Sequence, residues 1–259
     1  MTEGHRSAVE TLAASHSNLK EVVAAAGAVT DPSYCSDWAI AQVLSHLGSG
    51  AEIGLLNLNA ALAGGPPPDR ERYVEIWDVW NAKSPEAQAS DSLLSDAAYI
   101  AKWESLDDTE LDALRVPMMG RELDASGYIA MRLFEHAVHT WDIAVMNDPA
   151  AVVFPPATAL LVGRVPDRIG RSAHGAKPAA APVRLEVRTV EPDQRFALSI
   201  EPEAVTIDDG SAADGSVAIP GEALLRLISG RLDPAHTPAN VSVDGAVSLD
   251  ELRTLFDQS

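Results

Sequence analysis

Apolar positions recur at helical spacing through the first half of the chain and alternate with polar ones only in the second. From Arg6 to about Ala26 the sequence is rich in Ala, Leu, Val, Glu and Lys, lacks proline and stops at Gly27, which predicts a first helix. A loop over Thr30 to Ser36 follows, and Asp37 is placed to cap a second helix from Trp38 to about Leu62. Gly64-Gly65-Pro66-Pro67-Pro68 ends that helix. A third is expected from about Pro85 to Leu114, broken or kinked near Leu106-Asp107-Asp108. Asp124 or Ser126 caps a fourth, which runs to about Met146 before Asn147-Asp148-Pro149.

Beyond that point the pattern changes. A helix is expected over Pro156 to Arg171, interrupted at Pro166, and residues 173–182 form a linker of Ala, Gly and Pro. Val183 to Arg188 alternates apolar and polar residues as a half-buried strand does. Short strands are expected at 196–200, 205–207, 216–219 and 241–243, with helices over 222–228 and 249–256. The expected fold is therefore a two-domain α+β chain. A helical bundle occupies residues 1–172, and a smaller α+β domain occupies 183–259.

Composition narrows the partners. Of 259 residues, 46% are hydrophobic and 22% charged, the balance of a folded globular protein. The 38 acidic and 19 basic residues leave a formal charge of −19, a surface that repels phosphate backbones and anionic lipid. Nucleic acid and membrane surfaces are accordingly not expected as partners. The single cysteine, Cys35, allows no intrachain disulfide and fits a reducing compartment. The first ten residues have no basic start leading into an apolar core, and no apolar run reaches membrane-spanning length. The expectation is a cytoplasmic protein, monomeric or homodimeric, with a small-molecule substrate.

Chemistry concentrates between Arg132 and Asp142. On a helix Glu135, His139 and Asp142 fall within about 60° of arc, beside the apolar Tyr128, Met131, Val138 and Met146. A carboxylate and an imidazole directed into an apolar interior require a strong partner, and a metal ion satisfies both. The i, i+4 spacing lets successive turns converge on one ion. His46 is the third candidate, because its helix face carries Ala39, Val43, Gly50 and Ile53, although Asn57 interrupts that stripe. Gly48 and Gly50 would let another backbone or a ligand approach closely. Two histidines and one carboxylate make an open zinc set, and would also suit iron or nickel. Two plainer readings stand beside this one. A buried histidine is commonly a hydrogen-bonded core residue, and Glu-x-x-x-His is commonly a solvated pair. A His136–His139 chelating pair is disfavoured, since His136 lies about 100° round from Glu135 beside Arg132. Asp142 reads as the acceptor that holds an imidazole in place. Trp38 and Trp141 read as core aromatics, and Cys35 as a small buried residue.

Two segments carry a resemblance. Cys35-Ser36-Asp37-Trp38-Ala39-Ile40-Ala41-Gln42-Val43-Leu44-Ser45-His46-Leu47 and Arg132-Leu133-Phe134-Glu135-His136-Ala137-Val138-His139-Thr140-Trp141-Asp142 resemble the two signature segments of the mycothiol-dependent maleylpyruvate isomerase family. The N-terminal domain of that family is a DinB-like metal-binding four-helix bundle. The resemblance implies that His46, Glu135 and His139 bind the metal, the same trio that the helical faces select. It also implies a small C-terminal domain like sterol carrier proteins. Gly221 to Leu232 is similar to that domain's Gly-x-x-x-Leu-x-x-x-x-Gly-Arg helix, so Arg226 or Arg231 is implied near the substrate. Arg231 at the end of its helix equally suits a C-terminal capping role. Asp37 stands where the family more usually has glycine, and the linker at 173–182 is long.

The function implied is a metal-dependent isomerase or thiol S-transferase that uses zinc and mycothiol. A thiol sulfur at the open metal position would become the thiolate and attack an electrophilic carbon, while an arginine orients a substrate carboxylate. Two alternatives use the same residues. One is a zinc-dependent hydrolase without mycothiol. The other is a small-ligand binding protein with a structural metal, which would need a fourth protein ligand.

Overall fold

The computed structural model describes residues 2–35, 37–118, 120–208 and 212–257; Ser36, expected in the loop before the second helix, lies outside them. The chain divides into two compact units, residues 1–151 and 152–259. The fold is α+β, with helices dominating the first unit and a sheet organising the second. No helix among the described residues is long and apolar enough to cross a membrane.

The first unit contains α1 (Thr2–Ala25), α2 (Ile40–Leu62), α3 (Arg70–Asn81), α4 (Pro85–Glu104), α5 (Asp108–Ala113) and α6 (Ala125–Ala144). A short antiparallel ribbon of β1 (Val116–Met118) and β2 (Arg121–Leu123) leads into α6. Helix α2 packs on α4 and α3, and α1 packs on α6. Leu19, Ile40, Val43, Leu44, Leu47, Ala89 and Ile143 form one buried apolar cluster where α1, α2, α4 and α6 meet. Several expected boundaries move. Helix α2 begins at Ile40 with Ala39 as its cap, because the Gln42 side chain accepts from the Ala39 amide and takes the place expected of Asp37. The break expected near Leu106-Asp107-Asp108 is present: α4 ends at Glu104 and Asp107 caps α5 afresh. Helix α3 was not expected at all. Its charged sequence buries only Ile76 and Trp80, too few to show a periodic apolar stripe.

Small residues on α2 set how closely the helices approach. A Cβ at Gly48 would lie 2.3 Å from the Trp80 ring and 2.8 Å from the Ser92 backbone of α4. One at Gly50 would lie 2.8 Å from the Arg132 guanidinium, so protein, not ligand, occupies the space these glycines leave. Asn57 is buried, and it keeps a partner by accepting from the Tyr73 hydroxyl at 2.7 Å.

One polar junction joins the four long helices. Arg132 of α6 donates through Nη2 to the Leu47 carbonyl of α2 at 2.6 Å and to Asp96 Oδ1 of α4 at 2.5 Å. One turn further along α6, His136 shares a hydrogen bond with Ser15 Oγ of α1 at 2.9 Å through Nδ1. Asp96 and His136 are fully buried, and Arg132 very nearly so. Burial alone would push the Asp96 carboxyl up, but the Arg132 guanidinium and His136 outweigh it and hold the carboxyl at about 2.

The second unit begins with α7 (Pro155–Val162) and α8 (Val165–Ser172). Proline 166 starts α8 instead of breaking a single helix, and the interruption falls at residues 163–164. These helices, which the sequence pattern grouped with the bundle, pack on elements of the second unit: α7 on the helix Gly221–Ile228, and α8 on the strand Val205–Asp208. The sheet comprises β3 (Val183–Val190), β4 (Gln194–Ile200), β5 (Val205–Asp208), β6 (Gly215–Pro220) and β7 (Ser242–Gly245), in the order β5-β4-β3-β6-β7. Only the β3–β6 pair is parallel. Helices α9 (Gly221–Ile228) and α10 (Leu249–Leu255) complete the unit. Val183, Leu185 and Val187 alternate inward along β3, as the sequence pattern required.

Removing the Asp96 charge strands a buried guanidinium, so Asp96→Asn is expected to lower unfolding free energy at neutral pH by about 3–5 kcal/mol. The folded carboxyl titrates at about 2 against a reference value of 3.8. Its contribution is therefore present above pH 3.8 and is lost as pH falls toward 2. Urea unfolding of metal-free protein should show the gap between wild type and variant narrowing by about 2 kcal/mol over that window. A gap that stays constant with pH would contradict the assignment.

Candidate metal centre

The loop between α1 and α2 is fastened before it delivers any chemistry. The Ser33 amide and hydroxyl both donate to the Trp38 carbonyl, at 3.0 and 2.7 Å. The Tyr34 amide donates to the Asp142 carbonyl at 2.9 Å, and the Tyr34 ring meets Trp141 edge-on with centroids 4.8 Å apart. The loop is thus tied to the last turns of α6. Trp38 lies stacked on His139 at 6.0 Å and tilted on His46 at 5.4 Å. Cys35 Sγ donates to Asp142 Oδ2 at 3.1 Å.

His46 of α2 and Glu135 and His139 of α6 converge beneath Trp38. Glu135 Oε2 lies 3.6 Å from His46 Nε2 and 3.8 Å from His139 Nε2, and the two imidazoles meet edge-on at 4.7 Å. Ligand atoms of all three residues lie within 4.8 Å of one another. Two ligands at zinc distance in a tetrahedral shell stand about 3.4 Å apart. The donor set and its spacing therefore fit one divalent ion with little movement. His139 Nδ1 is 2.8 Å from Asp142 Oδ2, so the ring directs Nε2 at the trio. Asp142 is fully buried and is committed to His139 and Cys35.

The structure corrects three expectations. The trio does not face an apolar interior: the side chains of His46 and Glu135 are 38% and 41% exposed, and only His139, at 8%, is buried. Sequence periodicity placed Glu135 correctly beside His139 but could not show that this stripe of α6 lies at an opening. Cys35 is half-buried and polar in its role, because its thiol donates to Asp142. Trp38 covers two imidazoles, whereas Trp141 is a core residue whose Nε1 donates to the Ala151 carbonyl. His136 points to Ser15 and Asp96, away from the trio.

Within the second unit, Arg226 is buried. Its Nε and Nη2 both reach the Glu222 carboxylate at 2.8 Å, and Nη1 donates to the His236 carbonyl at 2.6 Å. Arg231 donates to the Ser229 carbonyl at 2.7 Å, just beyond α9, where Gly230 takes a positive φ of 72° to end the helix. The Arg231 amide returns to the Arg226 carbonyl at 2.7 Å and closes the turn.

The family model described as the mycothiol maleylpyruvate isomerase N-terminal domain matches residues 12–144, just over half of the chain. Among solved structures, a crystal structure of the mycothiol-dependent maleylpyruvate isomerase superposes with a TM-score of 0.67 and 15% identity, covering 94% of this chain and 95% of that one. A histidine-to-alanine mutant of the isomerase gives the same values. At that identity the likeness concerns the fold. No curated protein matches the sequence.

Because Asp142 fixes the ring of His139, Asp142→Ala is expected to weaken zinc binding at the trio about 10–100-fold, measured by competition with a chromogenic chelator. Cys35→Ser keeps a hydroxyl donor to Asp142 and should stay within a few-fold of wild type. Equal losses in both variants would mean that the cysteine acts through packing and not through its hydrogen bond.

Proposed function

The chain belongs to the mycothiol maleylpyruvate isomerase N-terminal domain family, and from that premise we propose that it is a metal-dependent enzyme using mycothiol to isomerise a small electrophilic metabolite that bears a carboxylate. The observation that carries the reading is the convergence of His46, Glu135 and His139 in a partly exposed trio with ligand separations of 3.6 and 3.8 Å. Among the described residues no fourth side chain completes that group, and Asp142 is held by Cys35 and His139. Three protein ligands with solvent access suit exchange of an outside ligand better than a closed structural site.

A divalent ion in this trio would lower the pKa of a thiol brought against it, so that the thiolate is available at neutral pH. The remaining work falls to the chain. His46, Glu135 and His139 supply two neutral donors and one negative charge, which leaves the loaded site net positive toward an incoming thiolate. Asp142 accepts from His139 Nδ1–H and keeps Nε2 as the donor atom. Trp38 stacks on His139 and lies tilted against His46, so it walls one side of the trio. In the reaction the thiolate sulfur bonds to one carbon of a conjugated double bond, and the electron pair moves onto the adjacent carbonyl. Rotation about the resulting single bond follows, and the sulfur departs with its electron pair as the double bond re-forms. No atom is gained or lost. Retention of the sulfur and protonation of the carbanion would instead give thiol transfer. Arg226 is committed to Glu222, so we assign the orientation of the substrate carboxylate to Arg231.

Zinc analysis combined with a cis–trans isomerisation assay on maleylpyruvate tests this reading. His46→Ala and Glu135→Ala should each remove one zinc ion per chain and reduce mycothiol-dependent turnover by a factor on the order of 10³. Arg231→Ala should raise KM more than it lowers kcat. Zinc content and turnover equal to those of the wild type in both ligand variants would overturn the assignment. Hydrolysis of a substrate without added thiol would favour the hydrolase instead.

A further inference from the structure

We infer that His16, Asp96 and His136 form a second site for one divalent cation, inside the helical unit and separate from the trio beneath Trp38. The three residues come from α1, α4 and α6, and all are buried, at 8%, 2% and 0% exposure. They offer ligand atoms that lie within 4.8 Å of one another. His136 Nε2 stands 3.5 Å from Asp96 Oδ2, close to the separation of two ligands in a tetrahedral zinc shell.

The decisive feature is that these polar atoms have no hydrogen-bond partner. His16 Nδ1, Asp96 Oδ2 and His136 Nε2 are each fully enclosed and unsatisfied. Buried polar atoms are nearly always paired. His136 Nε2 and Asp96 Oδ2 face each other at 3.5 Å, too far for a good hydrogen bond, with His16 Nδ1 enclosed beside them, and a single occupant would satisfy all three at once. Their neighbours meanwhile hold the other end of each group. Ser15 Oγ engages His136 Nδ1 at 2.9 Å, and Arg132 Nη2 engages Asp96 Oδ1. That leaves Nε2 and Oδ2 as the atoms aimed at the common centre, an arrangement in which outer partners orient metal ligands. Two imidazoles and a carboxylate are a zinc-type donor set.

Two other readings of the cluster are weaker. Ser15, His136 and Asp96 follow one another as in a serine nucleophile triad. However, all three are buried with no route for a substrate, and the serine sits on Nδ1 while the carboxylate faces Nε2. A buried water could also bridge three polar atoms. The charge balance does not forbid the cation. Arg132 neutralises Asp96, so a divalent ion leaves a formal charge of +2, equal to that of a three-histidine zinc centre.

The test uses the full chain with its exposed trio removed, as His46→Ala/Glu135→Ala, loaded with zinc and then freed of excess by gel filtration. One zinc ion per chain should remain. At hundredfold excess over its Kd, zinc should raise the melting midpoint of this variant by roughly 5–11 °C. Adding His16→Gln should abolish both effects while leaving the helical circular dichroism intact. Cobalt(II) bound to the unaltered double variant gives a readout that needs no core substitution, and the visible absorption of a four-coordinate ion is expected. No retained zinc, or a cobalt spectrum like the hydrated ion, would overturn the site and leave a buried water as its occupant. Zinc that persists after His16→Gln would place the ion elsewhere and overturn it equally.

Discussion

The buried pair between Arg132 and Asp96 is the constraint around which the helical unit is arranged. A guanidinium inside a bundle is tolerable only with a carboxylate beside it and acceptors for its remaining donors. Here the carboxylate comes from α4 and the backbone acceptor, Leu47, from α2. Both must approach α6 closely, and α2 carries glycine at 50 because a side chain there would collide with the guanidinium. Gly48, two residues earlier, admits the Trp80 ring and the α4 backbone. The spacing that brings His46 of α2 opposite Glu135 and His139 of α6 is thus set by the same contacts that shelter the ion pair.

Helix α6 carries two polar stripes, and its geometry separates their roles. Residues 132 and 136 lie about 40° apart, as do 135 and 139, and the two pairs are offset by about 60°. One stripe points into the junction with α1 and α4, where Asp96 and His136 are closed to solvent. The other reaches the surface beneath Trp38, where Glu135 is 41% exposed. A closed cluster fixes helices together, whereas an open trio holding a metal would be able to exchange an outside molecule. The buried junction lies directly behind the open trio, so the spacing of the trio's side chains rests on elements that do not need to move.

How much of this could be read from the sequence follows from the range of the interactions. Local signals were legible. The spacing of Glu135, His139 and Asp142 and the apolar stripe around His46 led to the residues that meet in space. The alternation along β3 predicted its inward face. Signals that depend on distant partners were not legible. Nothing near Cys35 shows that its thiol will find Asp142, 107 positions away, and nothing near His16 or Asp96 shows that they will meet His136. Asn57 looked like a flaw in an apolar stripe because its partner, Tyr73, lies on a helix with too little apolar content to be recognised. Pro166 looked like a helix breaker, though proline is equally at home in a first turn.

The same reasoning separates the two arginines near α9, which looked interchangeable in sequence. Arg226 faces Glu222 one turn back on the same helix, and its fork is filled by that carboxylate while a third nitrogen holds the His236 carbonyl. Extracting it would leave the largely enclosed Glu222 carboxylate without its partner, which is costly. Arg231 follows Gly230, beyond the last turn, and donates to the Ser229 carbonyl two residues away. Exchanging a neutral acceptor for a carboxylate strengthens the hydrogen bond and adds charge complementarity. An arginine that caps a helix end and one that receives an anionic substrate are therefore compatible roles for a single side chain.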